Sequence, residues 1–395
     1  MLASYRALAV AVKTAMRVLG FMTGTSLDAV DMAVLDTDGE RILGFGPAGE
    51  RKLDGATRAA VEAAIAASRT WLRGAAPPPA FAIAAAAVAE AHRVAALDFL
   101  AGEAAGAGPI ELVGVHGQTV LHEPPTAARP QGRTVQLIDA QILADALGLP
   151  VVHDLRTADV AAGGQGAPLA PAYHAALARW SKLEPPVAVL NLGGVGNLTL
   201  IGPDGGLEAY DTGPANGMID LLVQARTTRR FDEHGALARA GRVDEAVLAA
   251  YLSDPYFAAR GPKSLDRLDF SLDLVAALSL RDAAATLTAF AAAAVAVGLA
   301  DLCVEPARVV VCGGGRLNPA LMDALRARLS LPVQAAEDIG WRGDSIEAEA
   351  FAFLAARAAL GRPISFPETT GVPRPMTGGR IARPGIHVAS RGRPR

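Results

Sequence analysis

Apolar positions along the chain fall into short runs closed by turn residues, alternating with longer Ala-rich stretches. Arg17 to Met22 is such a run and ends in Thr23-Gly24-Thr25-Ser26; Val30 to Leu35 follows, then the turn Thr37-Asp38-Gly39. Short apolar runs bounded in this way predict a strand, a Gly/Thr/Ser loop, a second strand and a tight turn. The layout returns at Val187 to Leu192, with the loop Gly193-Gly194-Val195-Gly196-Asn197, the run Leu198 to Ile201 and the turn Pro203-Asp204-Gly205. Gly24 and Gly194 lie 170 positions apart, about one domain length. Two related halves, each opening with a hairpin around a Gly-rich loop, are expected.

Between these hairpins, Ala56 to Leu72 and Ala80 to Leu100 predict helices parted by Pro77-Pro78-Pro79, a run that no helix interior tolerates. Ile110 to Val115 predicts a strand, Asp139 to Leu147 a helix, and Pro150 to Val152 a short strand. In the second half, helices are expected near Gly217 to Arg226, Asp244 to Leu252 and Asp282 to Leu302, a strand at Arg308 to Val311, and helices at Pro319 to Leu329 and Ser345 to Leu360. Strands alternating with helices predict α/β sheets covered by helices. The tail after Pro363 is rich in Pro, Gly and Arg and is expected to fray.

Composition narrows the function classes. The 395 residues, 51% of them apolar, suffice for about two domains with sizeable cores. With 37 basic and 40 acidic residues the formal net charge is -3, so no cationic field points to nucleic acid, and a small molecule is the expected partner. Ala283 to Ala300 carries no charge over 18 residues, long enough for a membrane span. Its content is mostly Ala and Thr, so a buried helix and no membrane partner are expected. Two cysteines, Cys303 and Cys312, supply neither a disulfide framework nor a thiolate metal site, which fits a cytoplasmic protein. Lys13 and Arg17 interrupt the N-terminal apolar stretch, so a secretory signal is not expected. Oligomeric state stays open, a homodimer included.

Gly24-Thr25-Ser26 offers backbone amides and hydroxyls without bulk, material for a phosphate loop or equally for a tight turn. Together with Gly193 to Asn197, and with Gly313-Gly314-Gly315 between a strand and a helix, it suits a nucleotide gripped by both halves. Asp154 to Leu169 (DLRTADVAAGGQGAPL) mixes glycines, apolar residues and two carboxylates flanking Arg156, as a substrate loop would. There Asp154 has the alternative of a salt bridge to Arg156, and Asp159 that of a cap. Asp211, at a strand end before Thr212 to Gly217, can hold Mg²⁺ through water or simply open a turn. His116, at the end of a strand, is either functional or a hydrogen-bonded structural histidine. No zinc spacing and no Gly-x-Ser-x-Gly elbow is present.

These motifs resemble the anhydro-N-acetylmuramic acid kinases, in the superfamily of actin-like and sugar-kinase ATPases. The matching pieces are GFMTGTSLDAVD from Gly20 to Asp31, VHGQT from Val115, the segment from Asp154 to Leu169, NLGGVGN from Asn191, DTGPANGMID from Asp211, CGGGRLN from Cys312 and GDSIEAEAF from Gly343. The resemblance implies two ribonuclease-H-like α/β domains flanking a central cleft. One would span 17–150, with residues 345–385 packing back on it, and the other 151–344; 1–15 would be an unmatched extension, with translation starting at Met16, and 386–395 a flexible tail.

The resemblance further implies ATP and Mg²⁺ as cofactors and an amino sugar as substrate. Gly24, Thr25, Ser26, Leu27, Asp28, Ala29, Val30 and Asp31 would form the phosphate loop, joined in binding nucleotide by Gly193, Gly194, Asn197, Gly313, Gly314 and Gly315. His116, Gln118, Arg156 and Gln165 would meet the sugar. Asp159 matches the family's catalytic aspartate, and Glu347 a second carboxylate near the reacting water. The implied reaction phosphorylates O6 of 1,6-anhydro-N-acetylmuramic acid and opens its ring with water, in cell-wall recycling. A simple sugar kinase, or a nucleotide sensor without turnover, is the alternative. Three places depart from the family pattern: Ala29 replaces a Gly, Leu137-Ile138-Asp139 a Gly-Asp pair, and Leu265-Asp266 interrupts a Lys-Ser-Thr-Gly-Arg run between Lys263 and Arg267.

Overall fold

A computed structural model describes residues 15–24, 26–127, 129–265 and 269–385. Thr25, Asp266 and Arg267, and the expectations for 1–14 and 386–395, lie outside the described residues.

In the first half, β1 (Met16–Met22), β2 (Ala29–Thr37) and β3 (Ile42–Lys52) form an antiparallel meander. Helices α1 (Gly55–Thr70) and α2 (Pro79–Ala101) lead to β4 (Leu112–Val115), parallel to β1. A separate hairpin, β5 (Gln118–Glu123) with β6 (Arg133–Leu137), and α3 (Ala140–Leu147) precede β7 (Val151–His153), parallel to β4. The short α4 (Thr157–Ala161) and α5 (Pro171–Trp180) join the halves.

The second half repeats the meander with β8 (Val187–Leu192), β9 (Val195–Ile201) and β10 (Leu207–Pro214). Helices α6 (Asn216–Arg226), α7 (Ala236–Ala240), α8 (Glu245–Leu252), α9 (Pro255–Ala258) and α10 (Leu280–Asp301) come next. Then β11 (Val309–Cys312), α11 (Pro319–Arg328) and β12 (Val333–Ala335) add two parallel strands beside β8. The chain closes with α12 (Ile346–Ala359), α13 (Pro367–Thr370) and β13 (Arg380–Ala382), which pairs antiparallel with β7.

The sheet orders are β13-β7-β4-β1-β2-β3 and β10-β9-β8-β11-β12. With β13 set aside, each half reads third, second, first, fourth, fifth, three strands antiparallel and two parallel. This is the ribonuclease-H-like α/β arrangement expected twice over. Parallel strands need a crossover helix, which α3 supplies to β7. Val151 and Val152, both fully buried, therefore extend the first sheet past the boundary expected at residue 150. From residue 364 to 385 the segment after Pro363 does not fray: it carries α13, which packs against β10 of the second half, and β13, which pairs with β7 of the first.

The helix α12 lies directly on β1 and β4 because two strand positions lack a side chain. A Cβ at Gly20 would sit 1.9 Å from the Ala348 carbonyl oxygen, and one at Gly114 would sit 2.3 Å from that of Phe351. The apolar α10 packs among β9, β10, α6, α7, α8 and α11, with 83% of its most apolar window buried. It is a core helix of the second half. The α2 helix is also long and apolar, with 39% of its window buried.

Candidate active site

The loop after β1 is shorter than the expected run. Ala29, Val30 and Asp31 are already paired in β2, and Val30 is buried in the core. Leu27, at φ 55°, points inward among Val61, Phe81 and Val88. Its amide donates to Gly24 O (3.3 Å) and its carbonyl accepts from Arg58 Nε (3.0 Å). Only backbone atoms of Leu27 and Val30 could therefore face a ligand. The side chains that stay outside are Ser26, whose hydroxyl bonds the Asp28 carboxylate, and Asp28 itself.

Three loops of the second half converge. The carbonyl of Gly194 accepts from the amides of Ala215 (3.0 Å) and Gly217 (3.1 Å), and Gly193 O accepts from Asn216 N (3.1 Å). These bonds dock the β8–β9 turn on the start of α6. Gly313, at φ 73°, takes a left-handed conformation suited to glycine, and a Cβ there would sit 2.2 Å from Asn191 Oδ1. Gly314 is exposed, while Arg316 is held inward by Glu337 (2.9 Å) and Asp344 (2.7 Å). Asn197 Nδ2 donates to Asp211 Oδ1 (2.8 Å), so Asn197 serves a carboxylate of its own half.

The segment after β7 builds the other wall. Asp159 is 2% exposed; Oδ1 accepts from Gly166 N (2.7 Å) and Oδ2 from the Thr370 hydroxyl (2.6 Å). Arg156 donates from Nε to His116 Nε2 (2.9 Å) and from Nη1 to Gly166 O (2.7 Å). Asp154 pairs with Arg380 on β13 (3.1 Å), not with Arg156. Gln165 donates to Pro125 O (3.2 Å) and accepts from Ser264 Oγ (3.2 Å). Gln165 thereby ties strands of chain together. Gln118 Nε2 makes a long contact to Gly24 O (3.4 Å), which sets it beside the first loop.

Arg156 is the electrostatic centre. Burial lowers its pKa, and Asp211, Glu347 and Asp159 raise it in that order, so the charges of carboxylates on three elements reach one guanidinium. Glu347 accepts from Asn191 Nδ2 (3.1 Å); burial raises its pKa, against Asn191 and Arg156. Just beyond it, the buried Glu349 holds α12 in place by accepting from the Tyr173 hydroxyl and from Arg342 Nε (2.7 Å). Asp211 accepts from Leu265 N (2.8 Å) as well as from Asn197, so the departure at Leu265 costs it no partner, and burial pushes it up to about 6. Asp31 is pushed up to about 7, by burial first and then by Glu347 and other acidic neighbours. Burial holds His116 well below its ordinary value, with Arg156 adding to the effect.

A pH effect follows from Asp31. Its folded pKa near 7 exceeds the ordinary 3.8, so between these values the native state binds the extra proton and stability falls as pH rises. Buried His92 and His174 and half-buried His122, lowered to about 4, act oppositely below pH ~6.5. The difference between variants isolates Asp31: Asp31→Asn should gain Tm over the ligand-free wild type, with a gain that grows from pH 5 to 8. Thermal melts at both pH values check this; a constant difference contradicts it.

Of the expected site residues, Asp159, Arg156, His116, Asp211 and Glu347 are thus brought together, and Gly24 and Gln118 adjoin one another. Asn191, Arg316 and Thr370 were not singled out from sequence. Thr370 had a readable signal: Pro367 at a helix start and Gly371 at φ 78° at its end form the usual punctuation of a short helix.

A family profile described as anhydro-N-acetylmuramic acid kinase matches residues 16–384. A protein of that description from Phenylobacterium zucineum (strain HLK1) is 63% identical over 369 residues, covering 93% of this chain and 100% of its own length. Another, from Caulobacter vibrioides, is 63% identical over 366 residues, covering 93% and 98%. Among solved structures, a xyloylose kinase from Brucella ovis aligns over 94% of this chain and 95% of its own, at 15% identity and a TM-score of 0.43.

Proposed function

Because the chain belongs to the anhydro-N-acetylmuramic acid kinase family, and so to the phosphotransferases, we propose that it moves the γ-phosphoryl group of ATP to O6 of 1,6-anhydro-N-acetylmuramic acid while water opens the anhydro bridge. The observation that carries this reading is a buried Asp159 fixed by Gly166 N and the Thr370 hydroxyl, beside an Arg156 held on His116 and Gly166 O. Water bonds to the anomeric carbon as the C1–O6 bond breaks. O6 takes the phosphoryl group, ADP departs, and the proton of water passes to Asp159. An ordinary glycosidase needs an acid to protonate the leaving oxygen; here phosphorus captures that oxygen, so one base suffices.

Each residue has a part in this scheme. Glu347, fixed by Asn191, orients the water. Arg156 balances the surrounding carboxylates and leaves the proton of neutral His116 on Nδ1. His116 Nδ1 and Gln118 Oε1 are buried without a hydrogen-bond partner, a costly state that a sugar hydroxyl would relieve.

Mg²⁺ supplies charge neutralisation to phosphoryl transfer when bound. The donors suit it. Among the described residues no group of three or more His, Cys, Asp or Glu could hold a metal, and Mg²⁺ ordinarily takes one or two carboxylates plus phosphates. Asp31, crowded by like charge, would take the ion, and Asp211, whose two oxygens already accept hydrogen bonds, would reach it through water.

The test is the mass of the product. One phosphoryl group and one water should be gained together. A phosphorylated sugar with its bridge intact would make the protein a simple kinase, and bridge opening without ATP would break the coupling.

A further inference from the structure

Thr370 comes from the far end of the chain to the carboxylate that the proposed mechanism uses. It is fully buried. Its hydroxyl donates to Asp159 Oδ2 at 2.6 Å, and its carbonyl accepts from Gln165 N at 2.6 Å. The one-turn α13 thereby grips the Asp159 loop from two directions. The same α13 packs against β10, the strand that carries Asp211, so Thr370 stands where the substrate loop meets the second half. Backbone geometry fixes the other oxygen, since Gly166 N donates to Oδ1. The hydroxyl has a second acceptor, Phe366 O at 3.4 Å, toward which its proton can turn.

We propose that Thr370 is a positioning residue for Asp159, orienting the carboxylate toward water by a hydrogen bond that can reverse direction when Asp159 takes up a proton. The inference rests on the reading of Asp159 as the base. While Asp159 is ionised the hydroxyl donates to it. Once Asp159 holds the proton, the hydroxyl can turn to Phe366 O and accept from Asp159. No side chain without both a donor and an acceptor can do this.

Among the described residues, the charged and titratable groups around Asp159 are few. Arg156 precedes it on the same segment, and beyond Arg156 stand Asp211 on β10 and Glu347 on α12. His122 on β5 approaches Gly166 and is lowered to about 4 by burial, and His116 is likewise held neutral. Burial thus keeps both histidines neutral beside this segment.

The experiment compares Thr370→Val, Thr370→Ser and Asp159→Asn with the double variant Asp159→Asn/Thr370→Val, following turnover of ATP and anhydro-sugar against pH. A hydrogen bond to a charged group is worth a factor of roughly 10 to 100, so Thr370→Val should lower kcat by that factor with the KM for ATP nearly unchanged. A carboxylate that loses a donor becomes more basic, so the acid limb of kcat/KM should move to higher pH. Thr370→Ser should restore both, and the double variant should be no slower than Asp159→Asn alone.

Normal kcat and an unmoved acid limb in folded Thr370→Val would overturn the inference. So would a serine variant as impaired as the valine one, or an equal further loss in the Asp159→Asn background. If Val does not fold there, Thr370→Ala is read in its place. Near-normal turnover by Asp159→Asn removes the base reading and this inference together, whereas a large loss there with additive effects removes the inference alone.

Discussion

Asp159→Asn should fold normally and lose at least about 10²-fold in turnover, the low end of what a general base contributes. The surroundings make this substitution clean. The Asn carbonyl can still accept from Gly166 N, and its NH₂ can donate to Thr370, whose proton has Phe366 O as an alternative. Shape and hydrogen bonding survive while basicity does not. Nucleotide affinity should hardly change, because the Gly24, Gly193 and Gly313 loops lie on other strand ends. Steady-state kinetics with a parallel nucleotide titration check both halves of the expectation. A variant with wild-type kcat would leave Asp159 as a loop-closing residue and nothing more.

Gly20→Ala should be the most damaging added methyl among the described glycines. The added Cβ would meet a backbone carbonyl at 1.9 Å and the Ala352 amide nitrogen at 2.6 Å, and no rotamer of a neighbour can relieve a clash with backbone. Overpacking of this kind costs roughly 1–3 kcal/mol or more, so Tm should fall by several degrees. The same methyl lifts α12, and Glu347 at its start would leave Asn191, so turnover should fall with stability. Gly55→Ala is the matched control: its Cβ meets nothing within 4 Å at the first position of α1. A calorimetric scan of the two variants decides the point; equal melting temperatures would mean that α12 does not lie so close to β1.

Much of this architecture was legible in advance because hydrophobic period and turn chemistry are local. The hairpins around Gly24 and Gly194, the parted helices α1 and α2, and the strand before Gly313 all announce themselves within a window of a dozen residues. What escaped was decided by distant partners. The strand β13 is three residues long, and its pairing with β7 lies over 220 positions away in sequence; α13 is a single turn. Composition after Pro363 suggested only a loose tail, although Pro367 and Gly371 mark a helix. The same limit applied to the site. Asp159 and Glu347 stood out through the family resemblance, but Thr370 gains meaning only once it is seen against Asp159. Leu27 and Val30 belonged to a matching motif, yet their side chains complete the core, so a motif marks a stretch of backbone more surely than the direction of each side chain.

The return of the chain's end to its beginning also governs the order of assembly during synthesis. The second sheet, β8 to β12, is contiguous from Val187 to Ala335, so all its strands have been made before α12 exists. The first sheet is begun earliest and finished last. Its core face waits for α12 to settle on Gly20 and Gly114, and its edge waits for β13. On the ribosome, then, the half that is made second is the one that can close first. The loop bearing Asp159 receives Thr370 only once synthesis has passed residue 370, so a shorter nascent or truncated chain cannot assemble this part of the site ahead of its fold.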